Sequence, residues 1–143
     1  QTVQQATCMT QQYAPYRKGT VLAPVGGSDH LHIICNDPVH YPIHGCDCVL
    51  VVNISSVYPP PAYSDPACIL HAGEHPFVFH DSFVYYEDAI VWKVPNVISR
   101  EQSGELTPHA DMEENVLQRV LSGFEASDFT NPKILKFYRA YCI

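Results

Sequence analysis

The residues of this sequence best suited to chemistry are its histidines, most of which lie between positions 30 and 80. Imidazole titrates near neutral pH, so it can serve as a general acid, a general base or a metal ligand. His30 and His32 belong to the segment His30–Cys35, whose alternation predicts a strand with both imidazoles on one face. Such a pair could polarise a phosphate and move a proton, or it could form the half-exposed face of an edge strand.

Serine hydroxyls and a second group of histidines extend this set. Ser55 and Ser56 end a long apolar strand, where a hydroxyl can orient a phosphate or cap the following loop. His75 lies in the most polar turn of the chain, and Ser82 follows soon after it. We predict that one of the strand histidines is the acid or base, that His75 is its partner, and that serines position the phosphate. The candidate catalytic residues are His30, His32, Ser55, Ser56, His75 and Ser82.

Thiols and imidazoles in two segments suggest a metal site as an alternative. His71 and His75 are four residues apart, Cys68 precedes them, and Cys46 and Cys48 alternate in an earlier segment. Thiolate and imidazole are the ligands that Zn²⁺ prefers in structural sites. The alternative is therefore a zinc-stabilised domain that uses Cys46, Cys48, Cys68, His71 and His75, although their spacing matches no standard zinc finger.

Signatures of other catalytic sites and of cofactors are absent from the sequence. It contains no HExxH, no GxGxxG, no P-loop and no GxSxG. We therefore expect no cofactor, with zinc as the alternative. The six cysteines fit either reduced core thiols or a disulfide framework, and the apolar neighbours of Cys35, Cys48 and Cys68 favour reduced thiols.

Length and composition describe one globular domain. The 143 residues are 46% hydrophobic and 16% charged, which is typical of a folded chain. The longest apolar run is far shorter than the roughly 20 residues that cross a bilayer, so we expect no membrane segment. The net charge of −7 disfavours a large phosphate-binding surface. A local patch can oppose the overall charge, so RNA stays among the candidate partners.

The order of the local signals predicts a strand-rich domain closed by helices. We interpret residues 1–17 as a flexible arm and residues 18–143 as a single globular domain. A small bent sheet or SH3-like barrel is expected at about 18–95, and a helical segment at 107–142. The predicted strands cover residues 19–22, 30–35, 48–55, 68–70, 77–79, 82–86 and 89–94.

Two helices are predicted in the C-terminal part, after a polar loop at residues 99–107. Thr107 and Pro108 are a plausible cap and first position, and the pattern predicts a helix from Pro108 to Ser122. Asn131 and Pro132 mark the start of a second, shorter helix. The predicted fold class is mainly β with C-terminal helices packed on the sheet (α+β).

Several segments, taken in order, resemble PemK/MazF-type toxins. Residues 18–22 (KGTVL) are similar to the opening strand of that family, and residues 30–38 (HLHIICNDP) resemble its second strand. Residues 49–56 (VLVVNISS) resemble the strand that ends in a Thr/Ser turn, and residues 68–89 (CILHAGEHPFVFHDSFVYYEDA) look like the later strands of the small barrel. The resemblance covers roughly residues 18–92.

The resemblance implies a bacterial, cytoplasmic, often dimeric toxin that binds an antitoxin and cleaves RNA without a metal. In that chemistry the 2′-OH attacks the adjacent phosphorus and leaves a cyclic phosphate. The catalytic pair of the family is an arginine on the second strand and a Thr or Ser at the end of the third. The hydroxyl matches at Ser55 or Ser56, whereas the stretch that should hold the arginine holds His30 and His32. A non-enzymatic module that binds protein is therefore the second hypothesis.

Overall fold

The computed structural model describes residues 12–143 as eight strands, one short 3₁₀ turn and three α-helices. The strands are β1 (Thr20–Val25), β2 (Ser28–Ile34), β3 (Val39–Tyr41), β4 (Cys46–Ser56), β5 (Ile69–Leu70), β6 (Ser82–Val84), β7 (Ile90–Lys93) and β8 (Thr107–His109). The helices are α1 (Val94–Gln102), α2 (Glu114–Ala126) and α3 (Pro132–Tyr141), and the 3₁₀ turn is Tyr86–Asp88.

The central element of the sheet is β4, an 11-residue strand that pairs with four others. Its apolar run is buried on both faces, as expected for a central strand. Its first half pairs with β3 and β7, its middle with β2, and its end with β6. The pairing order β5-β6-β4-β2-β1-β8 leaves β5 and β8 at the two ends, so the described strands form an open sheet.

The two faces of the sheet bury different side chains, as the alternation in β2 predicts. Leu31 and Ile33 point into the main core, which α2 and α3 cover. Ile34, on the opposite face, packs with Val49 and Val51 of β4 against the half-buried Trp92. The face assignment of the histidines in β2 is therefore confirmed, because His30 and His32 share the face of Ile34.

The two C-terminal helices are amphipathic and cover the main core. The buried side chains of α2 recur at intervals of three and four residues, at Val116, Leu117, Val120, Leu121 and Phe124. The start of α3 is confirmed, since Asn131 Oδ1 accepts a hydrogen bond from the Lys133 backbone N–H at 2.8 Å and Pro132 takes the first helical position. Within residues 12–143, no helix combines the length and the apolar character required to cross a membrane.

The α+β class, with helices packed on a mainly antiparallel sheet, is confirmed. The predicted helix Pro108–Ser122, however, starts too early. Residues 107–109 form β8, which pairs with β1, and the helix begins at Glu114. Pro108 is tolerated in β8 because this strand lies at the edge of the sheet, where a missing backbone donor costs little. The predicted helical segment 107–142 thus opens with a strand.

Three other local predictions are wrong. The predicted loop 99–107 is partly helical, because α1 extends to Gln102. The predicted strand 77–79 is a loop in which the Val78 backbone N–H donates to the His75 carbonyl at 2.9 Å. The predicted strand 82–86 ends at Val84, and the chain then enters the 3₁₀ turn.

Residues 1–11 of the predicted flexible arm at residues 1–17 lie outside the described residues. Three side chains of the described remainder make contacts with the domain. Tyr13 contacts the apolar cluster beneath α1, and the Tyr16 hydroxyl donates to Asp111 Oδ1 at 2.5 Å. Arg17 forms a two-pronged ion pair with Glu114, at 2.9 and 2.8 Å. Tyr13, Tyr16 and Arg17 therefore contact residues of the predicted globular part.

Candidate functional site

A cleft opens where β4 leaves β2 and joins β6. The ladder between β2 and β4 extends only to the pair His32–Asn53, and residues 54–56 then pair with β6. The two strands separate beyond that point and enclose a cleft of about 450 Å³. It brings together four of the six predicted catalytic residues, His30, Ser55, Ser56 and Ser82.

His30 occupies the gap at the end of the ladder. Its Nδ1 lies 3.3 Å from the carbonyl oxygen of Ile54, which is the first β4 residue beyond the last pair with β2. A carbonyl only accepts hydrogen bonds, so Nδ1 carries the proton in this contact. The neutral ring then has its lone pair on Nε2, and this nitrogen can accept a proton from a bound molecule.

His80 is a second imidazole in the same cleft. Its Nε2 lies 3.4 Å from the Ser56 hydroxyl, and its carbonyl accepts a hydrogen bond from the Ser82 hydroxyl at 3.1 Å. The next residue is held as well, because the Val57 backbone N–H donates to the Asp81 carbonyl at 3.0 Å. The loop before β6 is thus fastened to the end of β4, and it presents His80 beside the serines.

Two aromatic rings flank the imidazoles. Tyr58 and Phe79 line the cleft, and they are 63% and 76% exposed. An exposed flat ring is a surface on which a nucleobase can stack. Phe77 lines the same cleft and lies 6.2 Å from Phe79 between ring centroids.

His32, which the sequence predicts as catalytic, is not in the cleft. It is 7% exposed and stacks on Trp92 with 5.2 Å between ring centroids. Its Nδ1–H donates to the His30 carbonyl at 3.0 Å. Burial lowers the pKa of His32, and it outweighs the hydrogen bond to the His30 carbonyl, which acts in the opposite direction. The role of His32 is to pack β2 against β7.

His75, the predicted partner, is also placed elsewhere. It is 2% exposed, and its Nε2–H donates to the Ala110 carbonyl at 2.7 Å while its Nδ1 accepts the Phe77 backbone N–H at 3.0 Å. Both nitrogens are therefore committed to the backbone. Burial lowers the pKa of His75 and favours the neutral ring that this bonding needs. His75 joins the polar turn to the segment that precedes α2.

The structure does not assemble the alternative zinc site. Among residues 12–143, no group of three or more His, Cys, Asp or Glu side chains is placed to hold a metal ion. Cys68 is buried in the core, where desolvation raises the pKa of its thiol, and His71 pairs with Asp81 on the surface at 2.9 Å. The five described cysteines are free thiols, as predicted, and Cys8 lies outside the described part.

Seven residues that line the cleft were not predicted as site residues, namely Ser28, Asp29, Ile54, Tyr58, Phe77, Phe79 and His80. His80 follows a segment that was predicted as a strand, and its loop position gave no reason to pair it with His30. Tyr58 and Phe79 look like core aromatics in the sequence, and Asp29 looks like a hairpin residue after Gly26 and Gly27. The sequence His80-Asp81-Ser82 could have indicated His80 as a site residue, because it combines three polar side chains just before a strand and at its start.

Comparisons of the chain with protein-family models, with curated proteins and with solved structures gave no match. The geometry of the cleft is therefore the basis for interpreting the function.

Proposed function

We propose that the protein is an endoribonuclease that cleaves single-stranded RNA in the cleft between β2, β4 and β6. The observation that carries the proposal is the presence of two imidazoles, His30 and His80, in one cleft with the serine hydroxyls of β4 and β6 and two exposed aromatic rings. Two imidazoles are enough to move both protons of RNA cleavage through the 2′-OH, so no metal is needed for the reacting step.

The proposed reaction assigns one proton to each histidine. Nε2 of neutral His30 takes the proton of the 2′-OH, and the 2′-oxygen forms a bond to the adjacent phosphorus. The bond between phosphorus and the 5′-oxygen breaks, and protonated His80 gives its proton to that oxygen. The products are a 2′,3′-cyclic phosphate and a 5′-OH, and proton exchange with water restores both rings.

Hydroxyl groups supply the remaining polar contacts to the phosphate in this proposal. Ser56 lies beside His80, and Ser55 and Ser82 line the same cleft. None of the described residues that line the cleft is Lys or Arg. A cationic imidazole and hydroxyls stabilise a pentavalent phosphorus less well than a guanidinium does, so we expect slow turnover.

The decisive experiment is incubation of the purified protein with a mixed RNA pool, with and without EDTA, followed by analysis of the fragment ends. We expect cuts that EDTA does not prevent and that leave 2′,3′-cyclic phosphates. His30→Gln keeps a side-chain donor toward the Ile54 carbonyl but removes the base, so it and His80→Gln should each slow cleavage by about 100-fold or more. The matched control is His44→Gln, which changes an exposed histidine outside the cleft. Intact RNA at a large excess of wild-type protein would overturn the proposal.

The second candidate function is a protein-binding module, and the absence of Lys and Arg from the cleft lining favours it. The resemblance to PemK/MazF toxins supports an antitoxin-like partner, a homodimer and a cytoplasmic location as parts of the same proposal. Light scattering tests the dimer, which should have twice the chain mass of 16.0 kDa. If wild-type protein leaves RNA intact, this module becomes the working function.

A further inference from the structure

A carboxylate is the least expected group in a cleft proposed to hold RNA. Asp29 is exposed at the second position of β2 and lines the same cleft, although strand alternation places it on the face of β2 opposite to His30. It forms no ion pair within residues 12–143, whose salt bridges all lie elsewhere. No lysine or arginine lines the cleft to pair with the Asp29 carboxylate, which repels a phosphate that comes close to it. Asp29 therefore cannot serve to bind the RNA backbone.

The same cleft is well suited to holding a base. Tyr58 and Phe79 offer exposed rings, and stacking on such rings is tolerant of which base is bound, because every base has a flat face. Stacking alone gives no sequence preference, so preference must come from a polar group at the base edge. Asp29 is the one ionised acceptor among the described lining residues.

We propose that Asp29 selects guanine in a single strand, a specificity that rests on the proposed function. A carboxylate has two acceptor oxygens and no donor. Guanine is the only RNA base whose Watson–Crick edge carries two adjacent donors, N1–H and the N2 amino group, and one carboxylate can accept from both. Adenine, cytosine and uracil each place a lone pair toward one of the two oxygens. The edge is free only in unpaired RNA.

The test measures binding with strands that cannot be cleaved. The probes are fluorescent pentamers of deoxyuridine with guanine, hypoxanthine or adenine as the central base, and the readout is anisotropy at low salt. A bidentate contact discriminates between bases by about fivefold to 150-fold, so the wild type should bind the guanine strand at least about fivefold more tightly than the adenine strand. Hypoxanthine lacks the N2 amino group and should bind with intermediate affinity.

Variants decide whether Asp29 is responsible. Asp29→Asn puts a donor where guanine needs an acceptor, so the guanine preference should fall to about twofold or less while stacking on the aromatic rings persists. Asp47→Asn is the matched control, because Asp47 is exposed on β4 outside the cleft. Equal affinity of the wild type for guanine and adenine strands, or an unchanged preference in Asp29→Asn, would overturn the inference.

The design separates this inference from the proposed function, since the probes lack the 2′-OH. Cleavage of RNA without a guanine preference in binding would leave the ribonuclease proposal standing and remove the role of Asp29. A guanine preference that depends on Asp29 in a protein that never cleaves RNA would keep the inference and identify a nucleic-acid-binding module.

Discussion

Gly123 provides a sharp test of the packing between α2 and the 3₁₀ turn, through the substitution Gly123→Ala. A Cβ atom at position 123 would lie 1.8 Å from Tyr86 Oη and 2.3 Å from Tyr86 Cζ. Tyr86 is fully buried, and its hydroxyl donates to the Val120 carbonyl at 2.6 Å. Its ring also packs edge-on against Phe124 at 4.9 Å, so it has no free direction in which to move.

The expected effect is the difference between two opposing contributions. Alanine is better than glycine in a helix interior by about 1 kcal/mol. Against this, overpacking costs about 1–3 kcal/mol, and a displaced Tyr86 hydroxyl left without its acceptor costs about 1–3 kcal/mol more. We expect a net loss of about 1–5 kcal/mol in the free energy of unfolding. For a domain of this size the melting temperature should fall by roughly 3–17 °C.

Urea unfolding monitored by circular dichroism measures the effect, and Ser122→Ala is the control. Ser122 is exposed on the same helix, so its replacement should change stability by no more than about 0.5 kcal/mol. The stronger check is the background Tyr86→Leu, which removes the atoms that the new Cβ would meet. In that background Gly123→Ala should become neutral or stabilising, because only the helix preference remains. An equal loss in both backgrounds would refute the explanation.

Three further predictions concern the histidines. The RNA cleavage rate should fall on both sides of a pH optimum, because one ring must be neutral and the other protonated. The fall on the acid side should be flattened in His30→Gln and the fall on the alkaline side in His80→Gln. Cleavage rates measured across pH test this, and identical profiles in both variants would contradict the assignment. Burial lowers the pKa of His75, so the fold should be most stable at a pH above the ordinary histidine pKa of about 6.5. Stability should be lost as the pH falls below that value, because the unfolded chain takes up the proton first. Urea unfolding at pH 7.5 and 5.5 should show a smaller pH effect in His75→Gln than in the wild type. Trp92 is the only tryptophan and stacks on His32, so its fluorescence should be quenched when His32 is protonated. The midpoint of this fluorescence change should lie below a pH of about 6.5, and the change should disappear in His32→Gln. A midpoint above the ordinary histidine pKa would contradict the burial of His32.

The two longest strands of the sheet were predictable from their apolar patterns. The alternation in β2 predicted the strand and its two faces, because the period of two follows from strand geometry, and the continuous apolar run in β4 predicted a central strand that is buried on both faces. The short strands were harder. β8 has three residues and contains Pro108, so its sequence looks like the start of a helix, and only pairing with β1 makes it a strand. Long-range pairing of this kind leaves no local signal.

The cleft was predictable in part, and the divided outcome for the histidines shows why. Alternation places His30 and His32 on one face, but it does not indicate where the β2–β4 ladder stops. The ladder ends at His32, so His32 is covered by Trp92 while His30, two residues earlier, faces the cleft. The same logic separates His75 from His80, since the turn that buries His75 against Ala110 carries His80 out to Ser56.

This division also bears on how the site could work. Burial lowers the pKa of both buried histidines; His32 stacks on Trp92 and donates to the His30 carbonyl within β2, and His75 ties the loop before β6 to Ala110. The two histidines of the cleft are carried by those same segments. An acid pH that protonates His32 and His75 should therefore loosen the supports of His30 and His80 before it changes the rest of the sheet. Hydrogen exchange at pH 5.5 should show faster exchange at residues 28–31 and 76–81 than in β4, and uniform exchange across the domain would rule out such a local loss of support.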